Sequence, residues 1–221
     1  CLAGEILSAL MRRGRFRPNF KIHLKEVKTL KKLTFGYALT GSFCTFKQSL
    51  SAMKELCKSG VNIVPIMSFN AFSTDTRFGT AQEFRERIEE LCHNKIISTI
   101  ADAEPIGPKK LLDLLIVSPC TGNTLGKLAN GIFDTPVTLA VKSHLRNERP
   151  VLIGVSSNDS LGASSRNIGV LLARKHIYFI PMRQDSPFKK PLSVVCEFER
   201  TAESAEAALE ERQLQPILDA G

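Results

Sequence analysis

From Leu33 onward, short apolar runs alternate with segments of helical periodicity. LTFGYAL (33–39) is apolar and aromatic-rich and ends in the turn TGSFC. The segment that follows places Phe46, Leu50, Met53 and Cys57 at helical spacing, and Ser59-Gly60 stops it before the next apolar run, VNIVPIM (61–67). Strand, helix and strand of these lengths predict a βαβ unit with parallel pairing. SFNAFSTDTRFGT (68–80) has no periodicity and carries three phenylalanines among hydroxyl and amide groups, which predicts a functional loop rather than a linker. AQEFRERIEELC (81–92) reads as an amphipathic surface helix, IISTI as a short strand near 96–100, and AEPIGPKK (103–110) as a Pro/Gly turn.

The most apolar run is LLDLLIVSP (111–119), as expected of a central strand covered on both faces. It leads into a helix that ends near Gly131. Beyond it, VTLAVKSHL (137–145) reads as helix or extended segment, VLIGVSS (151–157) as strand, 160–175 as helix, and IYFIPM (177–182) as strand. A last helix covers 201–213, with Thr201 as its N-cap. The alternation predicts a single three-layer α/β domain of Rossmann-like, flavodoxin-like type: a mostly parallel sheet with helices on both faces, and ligands beyond the carboxyl ends of the strands.

Composition agrees with a globular chain and changes the picture only through charge. The 221 residues are 43% hydrophobic and 24% charged, which excludes disorder and collagen-like structure. The net charge of +8 suggests a nucleic-acid footprint until it is located. Residues 1–32 hold nine Lys/Arg against two Glu, whereas residues 33–221 hold twenty-one against twenty Asp/Glu. The excess therefore belongs to a basic leader, and neither a nucleic-acid partner nor a membrane partner is expected of the domain. The sequence starts at Cys1, and a short apolar stretch precedes the charges, the reverse of a secretory signal. Three readings stand for this leader: upstream sequence joined to the gene, with Val27 or Leu30 as the start; a basic arm for an acidic partner; or a targeting peptide. The expected organisation is a leader over 1–32, disordered or misassigned, a flavin-type domain over 33–200, and a C-terminal helix and tail over 201–221.

The six cysteines (1, 44, 57, 92, 120, 196) form no CxxC pair and the four histidines are scattered, so neither a zinc site nor a disulfide framework is expected. A reducing cytoplasm is the simplest location. Chemistry should gather where the predicted strands end: Thr40-Gly41-Ser42, Ser68 with Asn70 and Ser73, Pro119-Cys120-Thr121-Gly122-Asn123-Thr124, Ser156-Ser157-Asn158-Asp159, and Met182-Arg183-Gln184-Asp185. Hydroxyls, amides and backbone N–H groups at helix starts suit a phosphate or a polar planar ring. The first strand lacks GxGxxG and the second ends in Ser68 rather than an acid, which argues against NAD; there is no P-loop motif either. A monophosphate with a flat ring, such as FMN, fits better. Thr121, Thr124 and Asn123 also have a plain reading as helix-capping residues, Arg77 as a solvated loop cation, and Cys44 and Cys120 as small packing residues.

Pro119-Cys120-Thr121-Gly122-Asn123-Thr124, continuing through Lys127, Ala129 and Gly131 to Asp134, resembles the P-[AS]-[ST]-x-N-T-x-x-K-x-A-x-G-x-x-D signature of the FMN-binding flavoprotein superfamily that includes the cysteine decarboxylases. The resemblance covers about 33–195. Within that superfamily the chain is similar to the dipicolinate synthase B-subunit family. The segments that carry this are TGSFCTF (40–46), STDTRFG (73–79), AEPIGPK (103–109), Leu145-Arg146-Asn147 with Pro150, SSNDSLG (156–162), the run from Ile177 to Pro191, and Gln213-Leu214-Gln215-Pro216. Two departures separate it from the decarboxylases. Their upstream His falls on Pro105 here, and their P-x-M-N clamp falls on Ser156-Ser157-Asn158-Asp159. Without the His the acid/base group is missing, so decarboxylation of a cysteinyl substrate is not expected.

The resemblance implies a flavin-dependent oxidoreductase acting in sporulation. It would oxidise a dihydrodipicolinate-type precursor to dipicolinate, with FMN as cofactor, the A subunit of dipicolinate synthase as partner, and a homo-oligomeric assembly. It implies FMN contacts from Thr40, Gly41, Ser42, Ser68, Thr121, Gly122, Ser157 and Asn158. Asn123 is placed on a substrate carboxylate. Arg77, whose guanidinium can fork onto a carboxylate, is the second substrate-binding residue. No catalytic residue is assigned. Two alternatives stay open: a flavin-binding partner chain without turnover of its own, beside a dehydrogenase-like subunit, and a related flavin-dependent decarboxylase or prenyltransferase.

Overall fold

The computed structural model describes residues 33–218, and the reading of 1–32 as a basic leader lies outside them. The sheet has seven strands: β1 (Thr34–Leu39), β2 (Asn62–Met67), β3 (Leu114–Cys120), β4 (Val151–Ser157), β5 (Ile177–Phe179), β6 (Met182–Ser186) and β7 (Lys190–Cys196). Its order is β2-β1-β3-β4-β7-β6, with β5 also paired to β4. Strands β1 to β5 run parallel, in registers such as Thr34↔Asn62, Phe35↔Leu114 and Val151↔Ile177. All seven residues of β3 are buried, which is why its sequence shows no alternation.

The helices are α1 (Phe46–Lys58), α2 (Phe69–Ser73), α3 (Ala81–Cys92), α4 (Ile100–Ala103), α5 (Gly122–Ala129), α6 (Pro136–Leu145), α7 (Ser165–Leu172) and α8 (Thr201–Leu209). Two layers follow from the strand alternation. Ala38, Val117 and Ile153 pack with Leu125, Leu128, Val137 and Leu171, and so bury α5, α6 and α7 on one face. Tyr37 points the other way, and its hydroxyl donates to the Ser49 carbonyl of α1 at 3.2 Å. Local signals agree with the packing. Thr80 and Glu83 form a capping box at the start of α3, and Thr135 and Thr138 do the same for α6, whose first residue is Pro136. Gly36 lies on the same face as Ala38, where a Cβ would come within 2.6 Å of a Leu112 methyl and 2.7 Å of a Leu115 methyl, so its lack of a side chain leaves room for both leucines.

Several sequence expectations are revised. The segment 68–80 is not a plain loop: Ser68 accepts from Ala71 N–H and caps the five-residue α2, too short to show periodicity. Ile97 makes one bridge to Ile66 rather than a strand, and Ile100 already opens α4. The run 137–145 is helical from Pro136. The helix expected over 160–175 shrinks to α7, because Asp159 folds the preceding turn by accepting from Ala163 N–H and Ser164 Oγ. Strand β5 stops at Phe179, and beyond Pro181 the chain enters an unpredicted antiparallel hairpin, β6 with β7, which joins β4 through Ser156↔Val195. Thr201 is the first residue of α8 and not its cap; its hydroxyl donates back to Phe198 O at 2.7 Å. Helix α8 ends at Leu209, which frees Gln213 to cover β5: its amide accepts from Phe179 N–H and donates to Phe179 O, both at 2.8 Å.

Candidate functional site

With this strand order the connections leaving β1 and β3 part to opposite sides, and the crevice between them opens at the carboxyl edge. A cleft of about 990 Å³ lies there. It gathers eight of the sequence-predicted residues: Gly41, Ser42, Arg77, Thr121, Gly122, Asn123, Ser157 and Asn158. Thr40 and Ser68 do not line it.

Thr40 ties the two central turns together. Its hydroxyl donates to Pro119 O at 2.8 Å and accepts from Thr121 N–H at 3.0 Å, and the residue is 1% exposed. That hydroxyl is already committed within the protein. Ser68 is likewise engaged as the cap of α2, while its N–H donates to Leu39 O. A second hydroxyl cluster joins β1 to β4: Ser42 Oγ lies 2.8 Å from Ser156 Oγ, and Thr45 Oγ1 lies 3.1 Å from Ser156 Oγ and donates to Ser42 O at 2.9 Å. Networks of this kind hold a loop in one geometry before a ligand arrives.

The glycines divide by cause. A Cβ at Gly122 would stand 2.8 Å from both Ser157 Oγ and Ser164 Oγ, so glycine is what lets the start of α5 meet the loop after β4. A Cβ at Gly41 would reach only ordinary contact with Phe43, at 3.6 Å, so nothing in the protein demands glycine there. The open space above Gly41 belongs to the cleft. Thr121 caps α5, accepting from Thr124 N–H at 3.4 Å, and the amides of the first turn face the cleft as anion donors. The side chains of Asn123 and Asn158 line the cleft exposed and make no hydrogen bond with the described residues. Free donors, a helix start and bare backbone at Gly41 together fit a phosphorylated ligand with a polar ring.

Arg77 has no carboxylate partner among the described residues; its guanidinium lies 4.9 Å from the centre of the Phe78 ring. The sequence placed Arg183 and Asp185 at a strand end but missed that they belong to the β6–β7 hairpin, which supplies the opposite wall with residues of β7. Lys190 is paired to Asp185 at 2.6 Å, and Arg183 approaches Glu197 at 4.0 Å. The signal for this wall was the β-branched pair Val194-Val195 after the turn at Pro187, overshadowed by its polar setting. An aromatic groove of about 750 Å³ adjoins the cleft, with Phe43, Phe78 and Phe198 in common and Phe46 and Phe84 beyond. Burial pushes the Cys120 thiol up, and that of Cys196 up to about 12, so both are protonated packing residues at neutral pH. Among the described residues no group of three or more His, Cys, Asp or Glu could hold a metal ion, and no helix is long and apolar enough to cross a membrane.

A parallel sheet of this order, with a donor-lined cleft at its switch point and no dinucleotide fingerprint, defines a flavodoxin-like mononucleotide-binding protein. The Flavoprotein family model matches residues 23–210, and the chain belongs to that family, in the branch of the dipicolinate synthase B subunits. It is 44% identical over 192 residues to the B subunit of dipicolinate synthase from Bacillus subtilis (strain 168), spanning 87% of this chain and 96% of that protein. The crystal structure of the dipicolinate synthase B subunit from Bacillus halodurans C matches with a TM-score of 0.78 and 41% identity, over 85% of this chain and 96% of that one. The FMN-dependent cysteine decarboxylase TvaF from thioviridamide biosynthesis matches with a TM-score of 0.50 and 27% identity, over 65% of this chain and 86% of its own.

Proposed function

We propose that the chain is the FMN-binding component of a cytoplasmic dipicolinate synthase, working with the A subunit of that enzyme and as a homo-oligomer to oxidise a dihydrodipicolinate-type precursor. The observation that carries this reading is the pairing, in one cleft, of a donor-rich strand-end cradle with a guanidinium that has no carboxylate partner among the described residues, Arg77. The 44% identity to the Bacillus subtilis B subunit supports the substrate class.

The residues fit the cofactor. Gly41, Ser42 and the first-turn amides of α5 would take the phosphate, and Ser157, Asn158 and Gly122 would border the ring. FMN supplies a two-electron acceptor, so loss of two hydrogens from the dihydro ring gives the aromatic dicarboxylate. The chain's own groups bind and orient: Arg77 takes one carboxylate as a fork, and Asn123 donates to the other. The aromatic rims at Phe43 and Phe78 shield the reacting face from water.

A second reading, a flavin carrier without turnover of its own, is favoured by the state of two cleft acids. Asp159 is held by Ala163 N–H and Ser164 Oγ, which occupies it as a base, and Asp185 is engaged by Lys190 until a ligand's charge displaces that pairing.

Purification tests the proposal directly. A yellow protein with an FMN spectrum is expected; a colourless one that rejects added FMN overturns it. Dipicolinate formation with and without the A subunit separates catalyst from carrier. Arg77→Ala should raise the substrate concentration needed for half-maximal rate at least tenfold with flavin content unchanged, and unaltered kinetics would remove Arg77 from the site.

A further inference from the structure

Away from the cleft, two thiols that the proposed chemistry does not use meet at the opposite end of the sheet. Helices α1 and α3 end side by side, capped at Ser59 and His93. Cys92, the last residue of α3, is buried, and its Sγ lies 3.4 Å from Met53 Sδ on α1. Cys57 is one turn further along the same face of α1 than Met53, half-buried, and its sulfur neighbours the Cys92 thiol. The turn after α3 holds Cys92 in place, because Asn94 Nδ2 donates to Ile63 O at 2.6 Å and to Asn62 Oδ1 at 3.2 Å. One accessible thiol thus faces one buried, positionally fixed thiol.

We propose that Cys57 and Cys92 are an oxidative modification site that closes to a disulfide in the presence of hydrogen peroxide. Peroxide transfers one oxygen to Cys57, giving the sulfenic acid and one water. The Cys92 sulfur then attacks the Cys57 sulfur; the S–S bond forms, the S–O bond breaks, and the departing hydroxide takes the Cys92 proton and leaves as a second water. Two thiols lose two electrons and one peroxide gains them. Exposure assigns the order, since Cys57 is reachable and Cys92 is not. The neighbouring Cys57 sulfur and burial also hold the Cys92 thiol protonated, as befits the resolving partner. The closed bond would enclose β2, α2 and the Arg77 loop in one covalent ring, restraining that wall of the cleft from its far end.

The test uses the purified full chain with its flavin, treated with dilute peroxide and then alkylated. The expected result is a mass lower by two hydrogens, two fewer alkylated thiols, a peptide joining Cys57 to Cys92, and a raised melting temperature that a reductant reverses. In Cys92→Ser the Cys57 sulfenic acid should persist and be trapped by dimedone, and Cys57→Ser should give no cross-link. Wild-type protein in which Cys44 oxidises while Cys57 and Cys92 both remain alkylatable would overturn the proposal. So would Cys57 advancing to the sulfinic acid with no cross-linked peptide.

Discussion

The two walls of the cleft are held by different forces. On the parallel side, the ends of β1, β3 and β4 are bound to one another by buried and half-buried hydroxyls: Thr40 to Pro119 and Thr121, and Ser42 and Thr45 to Ser156. On the antiparallel side, the β6–β7 hairpin exposes Arg183, Gln184 and Asp185, and its tip carries Phe188 at 100% exposure. The first wall is set by packing and cannot rearrange without opening buried hydrogen bonds. The second is set by surface ion pairs such as Lys190 with Asp185, which are weak and easily exchanged for a ligand's charges. A cofactor that must be held in one pose suits the first wall, and a charged substrate that enters and leaves suits the second.

Three substitutions or conditions test that contrast, taken from the strongest effect down. Gly154 sits in β4 where a Cβ would lie 2.5 Å from Ser118 Oγ and 3.0 Å from Cys196 Sγ. Gly154→Val should therefore destabilise the fold by more than about 3 kcal/mol in urea denaturation, because the neighbours are backbone-anchored and buried. A loss under about 1 kcal/mol would show the parallel wall to be softer than its packing implies.

The next effect comes from His144 of α6, 1% exposed, whose Nε2 donates to Pro150 O at 3.0 Å. Burial depresses its pKa to about 4. The unfolded chain binds a proton near the ordinary value and the folded chain does not, so stability is complete above that value and falls as pH drops toward 4. By pH 5 the loss should be about 2 kcal/mol, and His144→Gln should flatten that part of the profile. An unchanged profile in the variant would mean that other groups carry the acid sensitivity. The smallest effect is expected at the hairpin tip, where Phe188→Ala should leave the melting temperature unmoved, since the side chain touches solvent on all sides. A clear drop would make the hairpin part of the core.

Legibility in the sequence followed the same division. Strands β1 to β4 were readable because burial on both faces demands uninterrupted apolar runs, and LLIVSPC is one. The turn from Pro119 to Thr124 was readable because helix capping restricts residue type locally, at Thr121, whereas the glycine at 122 answers to Ser157 and Ser164 across the cleft. Thr40 and Ser68 were expected to face the flavin, and nothing in their neighbours' identities signals that one hydroxyl stitches β1 to β3 and the other caps a five-residue helix. The hairpin escaped because its pairing partner for Ser156 and Ser157 is some forty residues away, and its own strands are half polar.

Local rules sufficed for the fold class, the parallel order of the first strands, the cap at Thr121, and the concentration of positive charge in residues 1–32 beside a nearly neutral 33–221. Each of these depends on a residue and its near neighbours in the chain. Tertiary structure alone decided which hydroxyls are consumed and which donors, such as Asn123 and Asn158, remain free. It also decided that Arg77 stands without a carboxylate among the described residues, and that Cys57 meets Cys92. Those are facts about groups distant in sequence, and hydrogen bonds and ion pairs are settled only when the chain has brought both partners to the same place.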